Sequence, residues 1–185
     1  VNGQGNLLYE TMRGQGLTFQ GTDPADNWVV DPDRQCWTAT VNDGTDEYWT
    51  GNDPPEIDSA LELTFSGWVY PTDFSSTTMF FAKNDAGALT TGFSFGWNSS
   101  NGWQVDFYDN GTNGEGHTGT GSYAADRWYH LTFVYNGSGS TDADKLKIYV
   151  DGVNISLTFT GTVPTAIPAS GDNVFVGAVN ASAQP

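Results

Sequence analysis

Along residues 61–70 apolar and polar side chains alternate: Leu61, Leu63, Phe65, Gly67 and Val69 share one side, and Glu62, Thr64, Ser66, Trp68 and Tyr70 the other. A repeat of two is that of a strand with one face on a core, and Pro71 ends the run because it cannot donate to a ladder. A central strand covered on both sides would bury Trp68 as well. The runs FSFGW (93–97) and WQVDFY (103–108) flank NSSNG, and Asn101-Gly102 predicts a hairpin whose turn uses positive φ angles at both residues. Residues 130–135 lead through a polar loop, 136–144, into 145–150. There Asp151-Gly152 has type I′ chemistry and turns the chain back into a strand over 153–159. A short strand follows at 173–177.

The first 41 residues carry weaker patterns: strands are expected at 16–20 and 37–41, with a long acidic loop at 22–34. The Gly-rich tract 110–116 reads as a loop holding an exposed His117, and no segment has helical periodicity of useful length. Many short strands joined by Gly, Asn and Asp turns predict an all-β, two-sheet antiparallel sandwich. No period of 20 to 50 residues suggests a propeller or solenoid. The 185 residues suit one domain over 1–185.

Composition sharpens this picture at three points. Seven Trp, eight Tyr and eleven Phe beside 23 Gly and only six Lys plus Arg favour pleated, half-buried surfaces. A net charge of −16 repels nucleic acid and anionic membranes, leaving uncharged ligands, cations or basic protein surfaces. Cys36 is the single cysteine, so it forms no intrachain disulfide and is expected to be a buried thiol. No apolar stretch approaches a membrane span and no signal pattern opens the chain, which lacks an initiator Met, as a mature form or an excised piece would.

Five segments, taken in order, resemble one known family. NDGTDEY (42–48) is similar to the F-D-G-x-x-D-Y opening of laminin-G-like, concanavalin A-like lectin/glucanase jelly rolls. LTFSGWVYP (63–71) resembles their Trp strand, and RWYHLTFVYN (127–136) the W-x-H strand. KLKIYVDG (145–152) resembles the L-x-l-Y-v-D-G hairpin, and NVFVG (173–177) the strand after it. The resemblance spans about 42–177 and implies a jelly-roll sandwich. The family pattern runs on into one more strand, so either residues 1–41 supply it or the chain is part of a larger protein.

The candidate chemistry follows from these placements. EIDSALE (56–62) resembles the E-x-D-x-x-E signature of retaining glucanases, whose two carboxyl groups sit about 5 to 5.5 Å apart. Here an extra residue separates Asp58 from Glu62, and Pro54-Pro55 precede Glu56, so 53–59 reads as a loop rather than a catalytic strand. The resemblance also implies a Ca²⁺ ion, for which Asp43, Asp46 and Asp53, with Asn42, are the candidate oxygen ligands. Trp97 and Trp103 share the parity of Phe93 and Val105 and are expected in the core; Tyr108 shares that of Gln104 and Asp106. Exposed aromatics stack on sugar rings while Asn and Asp bond the hydroxyls, making Tyr108, Asp106, Asn110 and Tyr123 the candidate ligand-binding residues. His130 reads as a structural hydrogen-bonding residue, and N-x-S/T sequons occur at Asn98, Asn110, Asn136, Asn154 and Asn180.

These readings predict a non-enzymatic recognition or adhesion module at an extracellular, virion or cell surface, binding a glycan or glycosylated surface through end loops. The alternatives are a structural or attachment component joined to other subunits of a larger assembly, and a retaining β-glucanase using Glu56 and Glu62.

Overall fold

The computed structural model describes residues 7–9, 16–21, 28–30, 37–40, 47–84 and 89–178. The chain enters through β1 (Leu7–Tyr9) and β2 (Gly16–Gln20), then β3 (Trp28–Val30) and β4 (Trp37–Thr40), which pair with each other. Residues 28–30, expected within an acidic loop, thus form a strand, because WVV is a β-branched and aromatic run with a partner at hand. Cys36 lies outside the described residues.

After β5 (Tyr48–Gly51), a turn over 55–59 leads into β6 (Glu62–Val69). Next come β7 (Thr78–Asn84), β8 (Thr91–Asn98), β9 (Gly102–Asp109) and β10 (Gly114–His117). The chain continues through β11 (Tyr129–Asn136), a single helical turn α1 (Asp142–Lys145) and β12 (Leu146–Val150). It finishes with β13 (Val153–Ile155), β14 (Thr158–Gly161) and β15 (Val174–Val176). Among the described residues these build a nine-stranded sheet, β1-β2-β5-β15-β7-β8-β9-β10-β14, and a four-stranded sheet, β13-β12-β11-β6. All their pairings are antiparallel, as expected for a two-sheet jelly-roll sandwich.

The predicted alternation decides which side chains meet between the sheets. Phe93, Phe95, Trp97, Trp103, Val105 and Phe107 point in from β8 and β9, and Leu131, Phe133, Tyr135 and Ile148 meet them from β11 and β12. Phe65 of β6 stacks on Phe81 of β7 with centroids 4.6 Å apart, and Phe95 meets Phe133 at 5.3 Å, so the sheets are joined ring to ring. Trp97 and Trp103 are 4% and 0% exposed, as their parity predicted. Trp68 is 54% exposed: no layer of the described residues covers the outer side of β6, so the expectation of a strand buried on both faces does not hold there.

Two local readings change in the structure and one holds. Among the residues of the β8–β9 turn only Gly102 has positive φ (+86°). The Asn98 side chain accepts from the backbone N–H of Ser100 and Asn101, folding the turn ahead of that glycine. The Asp151-Gly152 turn does have both residues in the left-handed region, φ 51° and 78°. The expected strand over 153–159 is two: β13 pairs with β12, and β14 crosses to pair with β10.

Candidate functional site

β9 alternates a core-facing set, Trp103, Val105 and Phe107, with an outward set, Gln104, Asp106 and Tyr108. Its registers align Ser94 with Asp106, Asp106 with Glu115, and Glu115 with Thr160, a polar row running straight across β8, β9, β10 and β14. Two carboxylates therefore stand on adjacent strands as a directly opposed pair, whose Cβ atoms lie about 5 Å apart.

These groups are withdrawn from water and held by hydrogen bonds, as buried polar groups must be. Gln104, 4% exposed, donates its amide to Asp106 Oδ2 at 2.6 Å. The Asn101 amide donates to Glu115 Oε1 at 2.9 Å and to Gln104 Oε1 at 3.3 Å. His117 Nε2 lies 3.6 Å from Glu115 Oε1, and its Nδ1 3.2 Å from the Asn101 carbonyl oxygen. Beside this network lies a depression of about 180 Å³ lined by Asp106, Tyr108, Asn113, Glu115 and Thr160. Gly114 also lines it, and on the inner side of β10 a Cβ at this position would stand 2.1 Å from the Thr162 carbonyl oxygen. Only glycine lets β10 come that close to the 160–162 segment.

Burial pushes the Asp106 carboxyl up to about 6; the nearby charge of Glu115 adds to the rise, and the Gln104 amide opposes it. Burial likewise raises the Tyr108 phenol to about 12, with the Asp106 charge contributing, so it stays protonated and can donate. The depression thus presents carboxylate and amide oxygens, amide N–H groups, a threonine hydroxyl and a phenol within one small volume. That set matches a ligand rich in hydroxyls, each of which donates once and accepts.

Of the residues singled out from sequence, Asp106 and Tyr108 come together here. Asn110 sits in the exposed turn after β9 with φ 48°, and Asn113, three residues on, lines the depression instead. Tyr123 does not join them; its ring lies 5.6 Å from both Trp97 and Trp103 and packs on the core. Asp53 is engaged by a cation, with its Oδ1 3.0 Å from the ammonium of Lys83. Asp58 Oδ1 lies 2.7 Å from the same ammonium, which is fully buried and also donates to Ser170 Oγ at 3.1 Å. Carboxylates paired with a buried ammonium are poor calcium ligands. Asn42, Asp43 and Asp46 lie outside the described residues, and among the described residues no three His, Cys, Asp or Glu side chains cluster to hold a metal.

Glu56 lies in the turn before β6 and Glu62 opens that strand, so no single strand carries both. His117, expected in an exposed loop, is half-buried on β10. Glu115, Asn113 and Thr160 were missed because β10 reads GEGH, a strand without apolar residues. Its signal was Gly-x-Gly alternation, which puts the small residues inside and Glu115 and His117 outside.

The fold is thus an antiparallel two-sheet sandwich with a polar depression on its larger sheet. The chain belongs to the concanavalin A-like lectin/glucanases superfamily, whose laminin G family model matches residues 42–185. Among solved structures it is similar to the binding domain of Botulinum neurotoxin DC in complex with rat synaptotagmin II. The TM-score is 0.62 and the identity 12%, over 95% of this chain and 42% of that one. It is also similar to the same binding domain in complex with SialylT, with TM-score 0.50 and 12% identity over 94% of this chain and 36% of that one. The chain thus spans less than half the length of either structure. No curated protein matches the sequence. Among the described residues no helix is long and apolar enough to cross a membrane.

Proposed function

We propose that this is a recognition module of an extracellular, cell or virion surface that binds an uncharged glycan in the depression on its nine-stranded sheet. The observation that carries the reading is the opposed pair Asp106 and Glu115, bridged by Gln104 and Asn101 beside Tyr108. Carboxylates accept from sugar hydroxyls through strong charge-assisted hydrogen bonds, and their shared negative charge disfavours a sialylated or sulfated ligand. Membership of a superfamily that holds lectins supports the reading, as does the use of this fold as a binding domain in both similar structures.

The test is a glycan array followed by calorimetry, run with Ca²⁺ and with EDTA. Glu115→Gln, which removes a charge-assisted bond, and Tyr108→Ala, which removes the phenol and its ring, are each expected to weaken the best neutral ligand by at least about tenfold. Absence of binding to every neutral glycan in both buffers rejects the reading.

One observation favours a second reading, hydrolysis. Two carboxyl groups on neighbouring strands, one of them raised to about 6, follow the acid and nucleophile pattern of a retaining glycosidase. Release of reducing ends from a bound β-glucan, lost in Asp106→Asn, would establish it; binding without release excludes it.

A further inference from the structure

The opposite face of the sandwich uses none of these groups. From the four-stranded sheet, β6 sends Thr64, Ser66 and Trp68 outward, β11 sends His130 and Thr132, and β12 sends Tyr149. Trp68 is 54% exposed and Tyr70, just beyond β6, is 42% exposed. Large rings left in water at adjacent same-face positions, about 7 Å apart along a strand, mark a contact surface more often than isolated exposed residues do.

The rings are held before any ligand arrives. The Trp68 indole lies 5.0 Å from the His130 ring at 59°, and Tyr70 meets Trp128 edge-on at 5.3 Å. Ser66 Oγ lies 2.9 Å from His130 Nε2 and 2.9 Å from Thr132 Oγ1, which fixes a short row of hydroxyl and imidazole groups beside the indole. Ordering that is complete in the free protein is not charged against binding.

Charge narrows the occupant. At one end the face carries Glu62 and Lys147; at the other Arg127 donates to Asp151 at 2.6 Å. These two bases are matched in number by two acids, in a chain whose net charge is −16. A cationic partner drawn to the rest of the molecule gains nothing here, and a polyanion gains little from a face whose bases are matched by acids. A ligand with an apolar flat face and a rim of hydroxyls matches both the rings and the row.

We propose that this face is a second carbohydrate-binding surface, taking an uncharged oligosaccharide with one pyranose stacked on Trp68 and its hydroxyls bonded to His130, Ser66 and Thr132. It is independent of the depression on the other sheet, and the two surfaces lie back to back, so one domain could hold two glycan chains.

The test uses the unaltered chain with laminarihexaose, cellohexaose and mannohexaose as separate probes, followed by the indole N–H resonance of Trp68. At least one probe should shift that resonance at millimolar concentration. With the His130 ring resonances as the readout in the variants, Trp68→Ala should weaken its binding tenfold or more and Ser66→Ala combined with Thr132→Ala should weaken it severalfold, while Asp106→Asn, on the other sheet, should leave the Trp68 shift unchanged. The double variant keeps the test valid should Trp68→Ala fold poorly. The proposal is overturned if no probe moves the resonance, or if binding follows Asp106 and ignores the face variants, which would leave only the first site. It is overturned equally if the resonance shifts on dilution without sugar, which would assign the face to a second copy of the chain.

Discussion

Asp106 carries a conflict that pH can expose. Its carboxyl is raised from 3.8 to about 6 because the network buries it beside Glu115. A raised carboxyl pKa means that the folded state holds its proton more firmly than the unfolded chain does. The stability this provides is complete below about pH 4 and is lost as pH rises through about 6. Asp106→Asn removes the charge while keeping the shape, so it should leave urea stability nearly unchanged at pH 4 and raise it by about 2 kcal/mol at pH 7.5. An equal effect at both pH values would show that the carboxyl is not perturbed in this way. Tyr108 was identifiable from parity alone, since β9 alternates without interruption. The strand opposite could not be identified, because its side chains toward the core are glycine hydrogens.

At the scale of elements, glycines and turns set which strands can pair. Gly102 has φ +86°, and a Cβ there would stand 1.9 Å from the carbonyl oxygen of Gly119, where the chain after β10 passes the β8–β9 turn. Gly102→Ala combines left-handed backbone with a clash. It should cost at least about 2 kcal/mol in thermal or urea unfolding, and a change below about 0.5 kcal/mol, the range of an ordinary surface substitution, would show that the turn adapts freely. The hairpins were legible in sequence because each joins neighbours in the chain through turn chemistry that is itself local. The division of 153–161 between two sheets was not. VNISLTFTG alternates as one strand would, and the crossing at Ser156 and Leu157 is imposed by partners far away, β12 for the first half and β10 for the second.

At the scale of the molecule, Lys83 joins segments that are distant in sequence. It is fully buried on β7 and is held by Asp53 and Asp58 from the segment before β6 and by Ser170 from the segment before β15. Asp58 also accepts from the Ser170 backbone N–H at 3.3 Å, closing the triangle. Asp58→Ala leaves the buried ammonium without its shortest partner and should destabilise by about 3 kcal/mol, whereas adding Lys83→Met to it should recover most of the loss. If the double variant is no more stable than Asp58→Ala, the lysine is not the reason that Asp58 matters. Within EIDSA the aspartate neutralises a buried cation and the first glutamate lies in a turn.

Fold class, most strand positions, the core-facing set of rings and the acidic balance followed from sequence alone, because alternation and turn chemistry act between residues close along the chain. The family could also be recognised there, since its motifs are those same strands. The tertiary structure alone decided that Asp53 and Asp58 serve Lys83, that Tyr123 joins the core, that Glu115 faces Asp106, and that Trp68 stays in water. Each of these depends on which strand lies beside or across from which, and that is settled by packing two sheets against each other over long sequence separations.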